Sequence, residues 1–215
     1  MNKAVIFDLD GTLLDTVPDI MDNINIMLEH FGYKTRSENE IKRFVGCGAR
    51  NLVALSVGKE LTKEELDERL IFYNTAYTAS VSPKTHLFDG IEVVLKTLKS
   101  RGYKLAILTN KPQETTNTVV REYLQDFGFD MIVGQSGSVK CKPDKTATLK
   151  ILDSLKVEAK NAFFVGDGET DVETSINAGT CGIAALWGYR DKEQLKNAGA
   201  KTFATAPIEL LELIK

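Results

Sequence analysis

Five short runs rich in apolar residues, Ala4–Phe7, Lys104–Leu108, Met131–Val133, Ala162–Val165 and Cys181–Ala185, constrain the fold of this 215-residue chain more than any other feature. Runs of this length and composition read as strands buried on both faces of a sheet. From Lys104 onward they are separated by segments with helical periodicity, and alternating β and α implies an α/β fold with a doubly wound parallel sheet. Between the first run and the second lie roughly a hundred residues, far more than one crossover needs, with no convincing strand among them. That interval must hold a second module.

Its signals are helical. Pro18 suits a first helical turn, Ile20, Ile24, Met27 and Phe31 follow on one face, and Gly32 is a stop. Ser37 with Glu40, and Thr62 with Glu65, have capping-box spacing, and the second pair opens a run with Leu66, Leu70, Tyr73 and Tyr77 on one face. The aromatic stripe reads as core packing and not as a cofactor site. An all-helical module is therefore expected over residues 16–84, inserted into a core made of residues 1–15 and 85–215. The crossings fall at Asp15-Thr16 and at Pro83. Two adjacent linkers make a hinge, and a hinged bundle over a cleft is a lid.

Composition excludes several function classes. Lys and Arg number 27 against 30 Asp and Glu, a net charge of −3 with no long run of one sign, so no nucleic-acid partner is expected. No apolar stretch has the length of a membrane span, and the N-terminus runs straight into a strand, which speaks against both membrane insertion and secretion. Cys47, Cys141 and Cys181 are odd in number and lack metal-site spacing, while His30 and His86 lie far apart. A reducing cytoplasm fits, and a zinc or thiol enzyme does not.

The chemistry-bearing residues stand directly behind the strand-like runs, at the carboxyl edge where open α/β sheets bind ligands. Asp8-Leu9-Asp10-Gly11-Thr12 follows the first run and puts two carboxylates at the mouth of a cleft. Thr109-Asn110 follows the second, where Thr109 and nearby backbone N–H groups can hold phosphate oxygens, although both residue types also serve as ordinary helix caps. Gly166-Asp167-Gly168-Glu169-Thr170-Asp171 follows the fourth; an acidic surface loop would look similar. Lys142-Pro143 precedes a helix carrying Leu149, Leu152 and Leu155, and by itself says almost nothing.

Asp-x-Asp-Gly-Thr, a Thr after the next core strand, Lys-Pro, then Gly-Asp-x-x-x-Asp, in that order with a helical insert after the first, resembles the haloacid dehalogenase superfamily of phosphotransferases. The resemblance spans essentially the whole chain and implies a Rossmann-like core with a helical cap. Phe88-Asp89-Gly90, Trp187-Gly188-Tyr189, Ala198-Gly199-Ala200 and Ala206-Pro207 are softer marks, similar to the phosphoglycolate phosphatase branch. The family pattern puts Mg2+ on the Asp8 carboxylate, the Asp10 backbone carbonyl and the Asp167 carboxylate. Asp171 would be a direct or outer ligand, with Glu169 as a possible substitute. The pattern also makes Asp10 the general acid and then the general base, and Pro143 favours Lys142 over its rival Lys140 as the cation at the nucleophile.

Physical chemistry asks for such a set independently. A transferring phosphoryl group spreads negative charge over its oxygens, so catalysis needs positioning and cations. Asp8, the first residue off its strand, is the candidate nucleophile. Two anions repel, and oxygen ligands without a soft Cys or His set point to Mg2+ as the bridging ion. Asn110, Gly11 and Arg50 complete the expected substrate contacts. Arg50 ends the Gly46-Cys47-Gly48-Ala49-Arg50 break between two cap helices, where related enzymes carry a specificity loop; an ordinary turn with a surface Arg would leave the same pattern. Lys111 reads as a solvated or helix-start residue, and Cys47 and Cys141 as small fillers near the cleft. The expectation is a Mg2+-dependent phosphatase for a small anionic phosphate ester, phosphoglycolate first, working through an aspartyl-phosphate. A pyrophosphatase, a sugar-phosphate mutase and a non-enzymatic phospho-ligand binding protein are the alternatives, and monomer and homodimer both stay open.

Overall fold

The computed structural model describes residues 2–79 and 83–215. Strand β1 (Ala4–Phe7) leads through the two-residue β2 (Leu14–Asp15) into four helices, α1 (Val17–His30), α2 (Glu38–Phe44), α3 (Ala49–Val57) and α4 (Lys63–Ala79). The chain returns by β3 (His86–Leu87) to α5 (Ile91–Ser100) and then alternates as β4 (Lys104–Pro112), α6 (Gln113–Tyr123), β5 (Met131–Gln135), α7 (Thr146–Leu155), β6 (Ala162–Gly166), α8 (Glu169–Ala178) and β7 (Cys181–Ala185). Helix α9 (Lys192–Asn197), strand β8 (Phe203–Ala204) and α10 (Leu210–Leu213) close it. No helix among the described residues is long and apolar enough to cross a membrane.

Six strands form a parallel sheet in the order β5-β4-β1-β6-β7-β8, the α/β doubly wound arrangement expected. Alternate residues of β1 enter opposite layers: Val5 and Phe7 pack with Ile91, Leu95, Leu105, Ile107 and Val165, while Ala4 and Ile6 pack with Ala106, Leu108, Ile151 and Phe164. All four β1 residues are fully buried, which is why the strand reads as a continuous apolar run instead of an alternating one. Phe7 of β1 registers with Ile107 of β4 on one side and Val165 of β6 on the other. The chain winds outward through β4 and β5, then restarts on the far side of β1 at β6, and this switch point opens a crevice at the strands' carboxyl ends. The sixth strand, β8, and the short pair β2 and β3 escaped the sequence pattern because two residues show no period.

The four inserted helices have an apolar cluster of their own, with Ile20, Ile24, Met27, Ile41, Val53, Tyr73 and Tyr77 among its buried members. Both capping boxes form: the Ser37 N–H donates to Glu40 Oε2 at 2.9 Å, and the Thr62 N–H to Glu65 Oε2 at 2.8 Å. Helix α1 ends at His30, and Gly32, at φ 73°, carries the chain away in the left-handed conformation. Phe31 therefore falls just outside the helix and is half-buried against the same cluster.

Entry to and exit from this insert lie side by side. β2 and β3 pair antiparallel, Leu14 opposite Leu87 and Asp15 opposite His86. The buried Asp19 carboxylate in the first turn of α1 accepts the N–H groups of Lys84 (3.2 Å) and Thr85 (2.6 Å) and the Thr85 hydroxyl (2.6 Å). The expected second crossing at Pro83 adjoins residues 80–82, which lie outside the described residues.

Candidate active site

The three central strands each deliver one polar segment to the crevice. Asp8 is the first residue beyond β1, and its N–H still donates to Val165 O at 2.9 Å, so the strand ladder fixes its position. Asp167 follows β6 by one residue. β4 contributes Thr109, Asn110 and Lys111, and here the pairing with β5 shifts: Leu108 registers with Val133 and Pro112 with Gln135, so four steps on one strand match two on the other. This irregularity takes Thr109, Asn110 and Lys111 out of the strand's alternation, and all three are buried at the crevice.

Asp8, Asp167 and Asp171 bring their carboxylate oxygens within 4.8 Å of one another, all buried. Lys142 Nζ lies 2.7 Å from Asp8 Oδ1 and 2.6 Å from Asp171 Oδ1, its side chain 2% exposed. Asp171 is held by the Gly168 N–H at 3.0 Å, as the residue three positions into the turn that opens α8. The Thr12 hydroxyl (3.0 Å) and the Tyr189 N–H (2.8 Å) donate to the two oxygens of Asp167. Glu169 turns away to Arg190 Nε at 2.9 Å, so the carboxylate brought beside Asp8 and Asp167 is Asp171's. Lys140 is exposed and pairs with Asp144, whereas Lys142 occupies the buried place.

Three carboxylates sharing one ammonium leave two negative charges without compensation in a buried space. Burial and the neighbouring Asp171 push the Asp8 carboxyl up to about 8, against the pull of Lys142. Burial and Asp171 likewise push Asp167 up to about 7, opposed by the hydrogen bonds from Tyr189 and Thr12. Burial works against the Lys142 charge, but Asp171 and Asp8 more than offset it and hold its pKa above the ordinary lysine value. A hard divalent cation fits this donor set in both charge and chemistry. The surrounding backbone makes room for the carboxylates: a Cβ on Gly11, whose φ is 88°, or on Gly188 would run into Asp167.

Asp10 faces a different set of partners. Its Oδ1 accepts the Thr16 hydroxyl at 2.7 Å and Lys111 Nζ at 3.0 Å, and Lys111 reaches Oδ2 at 3.3 Å. Lys111 also lies 3.2 Å from the Tyr77 hydroxyl and 4.6 Å from the centre of that ring, which belongs to α4. The expectation of a solvated lysine is thus overturned; its side chain is 5% exposed. The shift in the β4–β5 pairing, which turns Lys111 inward, leaves no mark in the sequence.

Where the insert covers the crevice a partly open pocket remains, lined by Asp8, Asp10, Thr109, Asn110 and Lys111 from below and by Gly46, Gly48, Tyr73 and Tyr77 among others from above. Asn110 ties the two sides together: its Nδ2 donates to Gly46 O at 2.9 Å and its Oδ1 accepts the Lys142 N–H at 2.8 Å. Two expected substrate contacts are not brought to this lining. Gly11 lies against Asp167, and Arg50, half-exposed, pairs with Asp67 at a neighbouring groove between insert and core. Cys47 and Cys141 are exposed at a neighbouring groove and fill nothing, contrary to expectation.

Sequence reasoning missed the residues that join insert and core from the C-terminal side. The Tyr189 hydroxyl donates to Asp15 Oδ1 at 3.0 Å and accepts the Thr16 N–H at 3.0 Å, at the start of α1. Arg190 donates to the carbonyls of Lys42 and Val45, both at 2.6 Å, at the end of α2. Tyr189 was visible only within a soft family mark, and Arg190 carried no signal at all.

Comparison with known proteins agrees with this architecture. A family model described as haloacid dehalogenase-like hydrolase matches residues 5–185. The chain is 31% identical over 188 residues to a phosphoglycolate phosphatase of Xanthomonas campestris pv. campestris, covering 87% of this chain and 85% of that one. It is 33% identical over 187 residues to a phosphoglycolate phosphatase of Aquifex aeolicus, covering 87% and 86%. Among solved structures, a protein from Lactobacillus delbrueckii subsp. bulgaricus, proposed to be a phosphoglycolate phosphatase, superposes with a TM-score of 0.92 at 29% identity and covers 100% of this chain and 99% of that one.

Proposed function

The chain belongs to the haloacid dehalogenase-like hydrolase family and is a phosphatase, and from this premise we propose that it is a Mg2+-dependent enzyme for a small anionic phosphate monoester, phosphoglycolate first. The observation that carries the reading is the buried cluster of Asp8, Asp167 and Asp171 around the single ammonium of Lys142, at the carboxyl ends of the central strands. In this reading residues 16–84 are a cap over a core of residues 1–15 and 85–215, and a reducing cytoplasm fits the cysteine usage.

Asp8 attacks phosphorus while the bond from phosphorus to the ester oxygen breaks, giving an aspartyl-phosphate. Asp10, hydrogen-bonded by Thr16 and Lys111, supplies the proton to the leaving oxygen. It then takes a proton from the water that attacks the same phosphorus, which frees inorganic phosphate and restores the Asp8 carboxylate. Lys142 balances the charge on Asp8 and the phosphoryl oxygens, and Thr109 lies at the cavity wall where those oxygens would sit. The carboxylates of Asp8 and Asp167, with Asp171 direct or outer and the Asp10 carbonyl, would hold Mg2+, which when bound supplies positive charge for the phosphoryl transfer. The insert narrows the pocket above Asp8 and Asp10, which favours a short ester.

Phosphate release with Mg2+ present, measured across phosphoglycolate, sugar phosphates, nucleotides and pyrophosphate, tests this. Phosphoglycolate is expected to give the highest kcat/KM. No turnover of any ester would make the protein a phospho-ligand binder, and transfer between sugar hydroxyls in excess of phosphate release would make it a mutase.

A further inference from the structure

The reactive end of the site is accounted for by the residues around Asp8; the other end of the substrate is not. Arg50, the expected reader of that end, is occupied by Asp67 outside the cavity. Among the described residues that line the cavity, Lys111 is the one cation. It is buried, reaches the seam between core and cap, and rests against the hydroxyl and the ring face of Tyr77. An ammonium has three protons, and Lys111 directs them at Asp10 Oδ1 (3.0 Å), Asp10 Oδ2 (3.3 Å) and the Tyr77 hydroxyl (3.2 Å), so a substrate acceptor would take the place of the longest of these contacts.

Position narrows what that acceptor is. The group that protonates the leaving oxygen must touch it, and Lys111 Nζ stands 3.0 Å from Asp10 Oδ1. A substituent two bonds beyond the ester oxygen therefore falls within reach of the ammonium, whereas one several carbons away would extend past it, towards Tyr73 and Tyr77 of the insert. We propose that Lys111, backed by Tyr77, is the specificity-determining residue for the leaving group, and that it selects an ester bearing a carboxylate one carbon beyond the ester oxygen. The proposal rests on the assignment of Asp10 to the leaving oxygen made above, and it moves recognition of the second anion from the cap's Gly-rich break to the core's bulged strand.

The test uses a matched pair, phosphoglycolate and 2-hydroxyethyl phosphate, which differ by a carboxylate against a neutral CH2OH. The wild-type enzyme should prefer the carboxylate ester in kcat/KM by about thirty-fold or more, the usual scale of a desolvated charge-assisted contact. Lys111→Met should bring the two esters to within a few-fold of each other, and Lys111→Arg, which keeps the charge, should retain the preference. A lysine that only balances Asp10 would lower both esters in parallel and leave the ratio unchanged, which overturns the proposal. Pyrophosphate is the third substrate: faster turnover of it than of phosphoglycolate would put a phosphate and not a carboxylate at Lys111, and overturn the carboxylate assignment. Binding of the two esters to the non-turning Asp8→Asn protein, with and without Lys111→Met, separates the levels of argument. If no ester is hydrolysed by the wild type, the proposed function fails, yet loss of carboxylate-selective binding on Lys111→Met still upholds the subsite, and its persistence rejects it.

Discussion

The two ends of the cavity are built in different ways. At the phosphoryl end, the carboxylates stand within a few residues of a central strand, and their positions follow from the parallel ladder: Asp8 off β1, Asp167 off β6, with Asp171 in the first turn of α8. At the cap seam, contacts join residues far apart in the chain, Lys111 with Tyr77, Asn110 with Gly46, Arg190 with Val45. The first kind of site is rigid and dense in charge. The second is a set of single contacts between insert and core, which in the proposed reading of the insert as a cap break whenever it opens. Substitutions at the strand ends should therefore act on chemistry, and substitutions at the seam on selectivity and closure.

Asp8→Asn is the severest test of the rigid end. An amide neither accepts the phosphoryl group nor anchors a cation, so turnover should fall by about four orders of magnitude or more, while the thermal midpoint changes little. Substantial single-turnover phosphate release from this variant would remove the aspartyl-phosphate from the mechanism.

Asp167→Ala comes next. Loss of one buried oxygen ligand should raise the Mg2+ concentration needed for half-maximal rate by about a hundred-fold or abolish activity. Full rate of the wild type in excess chelator would sink the metal assignment altogether.

The same carboxylates give a pH signature. Asp8 and Asp167 titrate near 8 and 7 in the folded chain against an ordinary 3.8, so between about pH 4 and pH 8 the folded state binds more protons than the unfolded state. Stability of the chelated protein should decline as pH rises through that window, and saturating Mg2+ should flatten the decline by favouring the ionised carboxylates. Thermal melts from pH 5 to pH 8, with chelator and with Mg2+, measure it. Equal slopes under both conditions would detach the ion from these residues.

At the seam, Arg190→Ala removes the donors that cap the end of α2 and should cost a few-fold in kcat/KM with faster proteolysis of the cap, leaving the ratio between esters unchanged. Arg50→Ala should do least. Its pair with Asp67 is half-exposed, a class worth about 0–1 kcal/mol, and ester selectivity should shift by less than about two-fold. A large loss of selectivity in Arg50→Ala and none in Lys111→Met would return recognition of the leaving group from Lys111 to the insert's Gly-rich break.

The same contrast governs how much could be read from sequence. Buried parallel strands announce themselves through apolar runs, and the residues after them inherit a known location, so, whereas Lys142 stands out only through the family resemblance, Asp8, Asp10, Thr109, Asp167 and Asp171 are legible in the amino-acid sequence itself. Lys111 is not, because a two-residue slip in strand pairing leaves no compositional trace and lysine usually faces water. Arg190 is not, because its partners are backbone carbonyls, which every residue has. Arg50 stands out by local glycine chemistry, yet the partner it takes, Asp67, lies on another helix.

The side-by-side pairing of β2 and β3 bears on how such a molecule can change over evolutionary time. Because the insert leaves and rejoins the core at adjacent points, the length of chain between them can be altered without displacing any strand of the main sheet. The cost of closing a longer loop grows only logarithmically, by about 0.6 kcal/mol for each doubling. The cap is thus an exchangeable cassette on a fixed socket, and a lineage could acquire a new leaving-group preference by replacing the cassette while keeping its reactive machinery intact. Lys111 sets a limit on that freedom, since this cation at the cavity wall belongs to the socket and would be inherited by every cassette placed on it.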